Sequence, residues 1–158
     1  MGTKMSFIQY ITRNKAVICG LKATDWQDAI LSGGKVLLDQ QGVTPGYLKT
    51  IVDKCKANGP YIVIAPGIAM PHARPEEGAR SLCYGIVTLA EPVVFGDPDN
   101  DPISLLIFMA AASVREHNEQ AVSQIADICD DEDLVASIMN AKSDKEILAL
   151  LKGAQEKI

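Results

Sequence analysis

Two histidines carry all the imidazole in this chain, His72 and His117. His72 lies in a segment unlike the rest. Residues 65–78 read Ala-Pro-Gly-Ile-Ala-Met-Pro-His-Ala-Arg-Pro-Glu-Glu-Gly, with three prolines and two glycines. Proline fixes φ and removes a backbone donor, so the segment is stiff. Gly67 and Gly78 permit φ > 0 or a close backbone approach. The apolar run Tyr61–Ala65 comes just before it. The end of a buried strand is where α/β proteins place reactive side chains. Imidazole suits reversible proton or phosphoryl chemistry near neutral pH, and at an ordinary pKa of about 6.5 it is mostly neutral at pH 7. The plainer reading of His72 is a capped or solvated loop residue.

The other reactive types point less clearly. Cys19, Cys55, Cys83 and Cys129 show no C-x-x-C spacing, which argues against a zinc site or a redox pair. Each sits in an apolar or helical stretch, so they read as reduced structural cysteines of a cytoplasmic protein. Asp97-Pro-Asp-Asn-Asp101 mimics the start of a calcium loop. However, Pro102 stands where glycine is needed and Phe108 where the closing glutamate belongs, so it reads as a turn. No metal site is expected.

The elements that must position these residues are mixed. Strands are expected at 16–19, 61–65, 82–89, 93–95 and 103–110, with 61–65 buried on both faces and 93–95 a short edge strand or ribbon. One helix is expected from a Thr24–Gln27 capping box to Gly42, its stripe of Trp26, Ala29, Ile30, Val36 and Leu37 weakened by Gly33-Gly34. A second opens at Thr44-Pro45 and stops at Asn58-Gly59-Pro60. Three more cover 117–129, 132–141 and 144–156, the last behind a Ser143–Glu146 capping box. Trp26 reads as core, and the carboxylates of Asp130–Asp133 as favourable charges at a helix start. The pattern predicts an α/β fold, a mixed sheet of four or five strands with helices able to cover both faces.

The 158 residues fit a single domain, 1–158. With 15 basic and 20 acidic residues the net charge is −5, so there is no general pull toward nucleic acid or an anionic membrane. No apolar run approaches the roughly 20 residues that span a bilayer. The start, Met1-Gly-Thr-Lys-Met-Ser-Phe, has no apolar region of a signal peptide, and Gly2 and Ser6 match a lipidation pattern only weakly.

Pro66-Gly-Ile-Ala-Met-Pro-His72 followed by Arg74-Pro-Glu-Glu-Gly78 resembles the active-site loop of enzyme IIA domains of the bacterial sugar phosphotransferase system. The likeness is to the mannitol/fructose superfamily and, within it, to the ascorbate-type branch. Gly59-Pro-Tyr-Ile-Val63, Asp99-Asn-Asp-Pro-Ile103 and Asp130-Asp-Glu-Asp-Leu134 fall where that branch has similar segments, so the likeness covers nearly the whole chain. It implies a three-layer α/β/α sandwich and a cytoplasmic phosphocarrier without a cofactor. His72 would take a phosphoryl group on Nε2 from the phosphohistidine of the carrier HPr. It would pass the group to a cysteine of a IIB component, which serves a carbohydrate arriving through the membrane-embedded IIC. The resemblance makes His117, where strand hands over to helix, a phosphate hydrogen-bond donor; the alternative is a solvated helix-start residue. The family's basic residue on the helix before the active-site strand corresponds here to Lys54 or Lys56. These are lysines, which supply a point charge without the fork of arginine; otherwise they are solvated. Arg74 touches phosphate or a partner, or pairs with Glu76 or Glu77. A rival function within the resemblance is a regulatory module whose phosphorylation state controls partner binding.

Overall fold

The computed structural model describes residues 6–156; Met1–Met5, which bear on a leader or on Gly2, lie outside them. Five strands form one mixed sheet: β1 (Val17–Leu21), β2 (Val63–Ala65), β3 (Ile68–Ala69), β4 (Cys83–Val93) and β5 (Ile103–Ala110). Their order is β1-β4-β5-β3-β2. β4 runs parallel to β1 and antiparallel to β5, and β3 runs parallel to β5 and antiparallel to β2. The central position of β4 and β5 explains their near-continuous apolar sequences. Every residue from Cys83 to Leu89 is buried, and so is all of β5 except Ser104.

The helices are α1 (Phe7–Asn14), α2 (Trp26–Gly33), α3 (Lys35–Leu38), α4 (Pro45–Asn58), α5 (Val122–Cys129), α6 (Glu132–Met139) and α7 (Asp144–Glu156). Successive strand residues point to opposite faces. Tyr84 meets Phe7 of α1 edge-on, with ring centroids 4.9 Å apart. Its neighbour Gly85 faces Val36 of α3, and a Cβ there would lie 2.2 Å from a Val36 methyl. α1 and α3 therefore cover opposite faces, which gives the expected α/β/α layers. α7 packs on α1, and α6 on α7.

Several local expectations need correction. β2 is an edge strand, not a doubly buried one: Tyr61 and Ile64 are 38% and 41% exposed. Residues 93–95 are not a separate strand, because β4 runs unbroken to Val93. The helix expected from Thr24 to Gly42 is two short helices. Asp25 is its N-cap in place of Thr24, accepting from the Asp28 N–H at 2.8 Å. The chain breaks at Gly34, where a Cβ would strike Leu48 at 2.4 Å. Helix α1 was not expected, although Ser6 and Gln9 form a reciprocal capping box at its start and Phe7, Ile8 and Ile11 are buried. Trp26 is half-buried at the edge of the core, its ring 6.4 Å from Phe95. The Asp97–Asp101 segment is a turn: the Asp101 carboxylate accepts from the N–H groups of Phe95, Gly96 and Asp97 at 2.8, 2.9 and 2.8 Å.

All four cysteines are free; Cys55 and Cys83 are buried, and Cys19 and Cys129 are half-buried. Burial pushes the Cys55 and Cys129 thiols up to about 11 and Cys83 up to about 12. These three stay protonated at neutral pH and so are poor nucleophiles. Single Cys→Ala variants are expected to keep, in folded protein, the phosphoryl transfer that the resemblance implies. Cys83→Ala should lose the most stability, about 1–2 kcal/mol from lost packing. Thermal melts alongside a transfer assay check both; a phosphate found on sulfur would overturn the expectation.

Candidate active site

The proline-rich segment is built in stages. Gly67, at φ +77°, turns β2 back into β3. The Met70 N–H donates to the Ile62 carbonyl at 2.7 Å, and the Met109 N–H donates to the Pro71 carbonyl at 3.3 Å. A 3-10 turn, Pro75–Glu77, closes the segment. Tyr47 of α4, fully buried, anchors it from the core. Its hydroxyl accepts from the Ala73 N–H at 3.0 Å and donates to the Met109 carbonyl at 3.0 Å. Gly78, at φ +126°, lets the return arm pass so close to α4 that a Cβ would lie 2.4 Å from Thr44 Oγ1. Stiffness thus comes from proline and from anchoring to α4 together.

On this support His72 is half-buried, with Nδ1 2.7 Å from the Met70 carbonyl. A carbonyl only accepts, so Nδ1 carries the proton of the neutral ring and Nε2 keeps its lone pair. Burial lowers the His72 pKa; the Met70 contact opposes this, and nearby His117 and Lys54 lower it further. The ring is therefore neutral at pH 7.

His117 comes from a π-helical turn, Glu116–Ala121, that leads into α5. Such turns concentrate at functional sites. Its ring centroid is 5.3 Å from that of His72. Its Nδ1 is buried and has no hydrogen-bond partner among the described residues, and burial lowers its pKa.

The two imidazoles share a cleft of about 480 Å³ with Lys54, Asn58, Tyr61, Ala73 and Arg74. A larger groove of about 760 Å³ borders α1 and the C-terminal helices, but neither histidine lines it. Chemistry, not size, locates the site.

The sequence candidates divide accordingly. Lys54 reaches the cleft and pairs with Glu77 Oε1. Arg74 is exposed at the rim; Glu77 accepts its backbone N–H at 2.8 Å, and no ion pair involves its guanidinium among the described residues. Lys56 is exposed and does not line the cleft. Residues two apart on a helix point about 200° apart, so α4 cannot bring both lysines to one site.

Sequence reasoning missed Tyr61. Its hydroxyl donates to the His72 carbonyl at 2.6 Å, and its ring meets the imidazole edge-on at 5.4 Å. It was absorbed into an apolar run, yet a polar-tipped aromatic at the start of such a run is the kind of residue that turns outward.

A pH dependence follows. If His72 is the phosphoryl acceptor, attack needs a neutral ring, and the folded pKa lies below the ordinary 6.5. Acceptance rates should stay flat from pH 8 down to 6.5 and fall only below that. The unfolded chain takes up its proton first, so stability from the neutral buried ring is complete above about 6.5 and is lost as pH falls through the folded pKa. Acceptance rates and melts across pH 5–8 check both, and a rate already halved at pH 7 would contradict them.

A stiff loop holding a neutral imidazole with one free lone pair, beside a second imidazole and two cations, can take up an anionic phosphoryl group. On a three-layer α/β/α frame this defines the class of a phosphotransferase domain. A family profile described as phosphoenolpyruvate-dependent sugar phosphotransferase system, EIIA 2, matches residues 10–154. The ascorbate-specific PTS system EIIA component of Escherichia coli K12 is 38% identical over 141 residues, covering 89% of this chain and 92% of that protein. The solution structure of the mannitol-specific cryptic phosphotransferase enzyme IIA of Escherichia coli is 33% identical, with a TM-score of 0.79 and coverage of 87% of this chain and 92% of that one. The mannitol enzyme IIA of Escherichia coli, solved in complex with phosphorylated mannitol enzyme IIB, is 26% identical, with a TM-score of 0.73 and coverage of 88% and 95%. The chain belongs to the EIIA 2 family of the phosphoenolpyruvate-dependent sugar phosphotransferase system.

Proposed function

We propose that His72 Nε2 accepts a phosphoryl group from the phosphohistidine of HPr and passes it to a cysteine of a IIB component. The matched residues act as one EIIA type-2 domain in the cytoplasm. They serve uptake and phosphorylation of L-ascorbate through a membrane-embedded IIC that the chain does not itself touch. The observation that carries the reading is the contact between His72 Nδ1 and the Met70 carbonyl, which leaves Nε2 as the one free nucleophilic atom of the ring. Ascorbate is supported by the relatives of that specificity, and a IIB partner by the mannitol complex. Among the described residues no helix is long and apolar enough to cross a membrane.

In the forward step the N–P bond of phospho-HPr breaks as Nε2 forms a new one. Little is asked of the protein beyond in-line placement and stabilisation of the phosphoryl oxygens. His117, 5.3 Å from the acceptor ring, donates a hydrogen bond to those oxygens. Lys54 and Arg74 contribute positive charge at the rim, and Lys56 has no part. The donor and both acceptors are protein side chains, so no cofactor enters. A purely regulatory module is not favoured, because the ascorbate-specific and mannitol-specific relatives are substrate-specific components of the system.

The test is phosphorylation with phosphoenolpyruvate, enzyme I and HPr, followed by mass-spectrometric mapping and transfer to purified IIB components. One phosphoryl group on His72 that moves to an ascorbate-type IIB cysteine, in preference to a mannitol-type one, is the expected result. A phosphate mapped elsewhere overturns the site; transfer to the mannitol-type IIB alone overturns the substrate.

A further inference from the structure

Glu77 stands behind the cleft, not in it. It ends the 3-10 turn after His72, and its Oε1 accepts from both Lys54 Nζ and the Arg74 backbone N–H. Lys54 and Arg74 line the cleft with His72, and Glu77 does not. The side chains of the ion pair are only 30% and 23% exposed, so their charges are screened less than at an open surface. Burial works against the Glu77 charge, but Lys54 and the Arg74 N–H outweigh it and lower the carboxyl pKa.

Of the two cations that line the cleft, Lys54 is thus held by a carboxylate and Arg74, among the described residues, is not. Two uncompensated cations would hold a phosphohistidine dianion tightly, and a carrier must also release it. Transfer between imidazoles breaks one N–P bond and forms another of the same kind. The equilibrium is therefore set by the environments of the two rings. A carboxylate that occupies Lys54 weakens the pull on the phosphoryl group.

Building on the assignment of His72 as acceptor, we infer that Glu77 sets the phosphoryl-transfer potential of His72. By holding Lys54 and offsetting part of the cationic rim, it keeps the phosphoryl group accepted but not trapped.

Glu77→Gln removes the charge and keeps an oxygen that can accept the Arg74 N–H. It should shift the equilibrium with phospho-HPr toward the phosphorylated chain by about 3- to 30-fold and slow onward transfer to the IIB cysteine. Merely structural damage would lower acceptance, not raise it. Lys54→Met should shift the equilibrium the other way, and adding Glu77→Gln to it should have a much smaller effect. Circular dichroism and melts confirm folding. An unchanged or reduced phosphorylated fraction in folded Glu77→Gln overturns the inference, and so does an effect that persists undiminished without Lys54. These results are read with the phosphate mapped to His72 in the parent chain. Phosphate on another residue fails the acceptor assignment instead.

Discussion

His72→Ala is expected to abolish phosphoryl acceptance and to leave the fold standing. The loss should be complete because no substitute nucleophile is at hand. The part proposed for His117 is that of a donor to the phosphoryl oxygens, and the Cys55, Cys83 and Cys129 thiols are held protonated by burial. The structural cost is small. The ring is half-buried and, among the described residues, makes one hydrogen bond, to the Met70 carbonyl, worth about 1 kcal/mol. The loop is anchored independently by the Tyr47 hydroxyl at Ala73 and by Pro71 at Met109. Incubation with phosphoenolpyruvate, enzyme I and HPr, read by intact-mass spectrometry, tests the first part; a melt within a few degrees of the parent tests the second. Stoichiometric phosphate on the variant would end the assignment.

His117→Ala is expected still to accept phosphate on His72, but slowly. The buried His117 Nδ1 lacks a partner among the described residues, and its ring lies beside that of His72. A neutral imidazole carries one N–H donor, and a phosphoryl group on His72 would lie in the cleft that both rings line. A charge-assisted hydrogen bond contributes about 1.5–3 kcal/mol. If the bond tightens in the transition state, its loss slows transfer roughly 10- to 150-fold. The slowing should appear in both directions, from phospho-HPr and to the IIB cysteine, because both pass through the same phosphoryl geometry. Rapid-quench measurement in each direction decides it. Unchanged rates would make His117 an ordinary helix-start residue; complete loss of acceptance in folded protein would make its role larger than a single hydrogen bond.

Where the local chain decides structure, reading residues in order succeeded. Ile103–Ala110 is the strand its apolar run announces, and α4 begins at Pro45 and ends at Asn58, where Pro and Gly punctuate it. α7 starts at Asp144 behind Ser143, whose hydroxyl accepts from the Glu146 N–H at 3.1 Å. The stiff segment from Ala65 to Gly78, with His72 within it, was legible for the same reason: proline and glycine act on their own φ angles. Errors arose where partners were distant. Tyr61–Ala65 is apolar enough for a central strand, yet β3 alone flanks β2, so Ile64 faces outward. That position 34 has no room for a side chain depends on Leu48, which stands where a Cβ would go.

The sequence by itself determined the residue types at the site, the stiffness of the loop that carries His72 and the order of most elements. These depend on short-range sterics, caps and periodicity. Only the tertiary structure decided that His117 lies beside His72, that Lys54 reaches the cleft while Lys56 does not, and that Glu77 holds Lys54. Protonation state, charge compensation and tautomer are properties of neighbours in space. Packing α4, the proline-rich segment and the turn before α5 around one end of the sheet chooses those neighbours, and no local pattern encodes that choice.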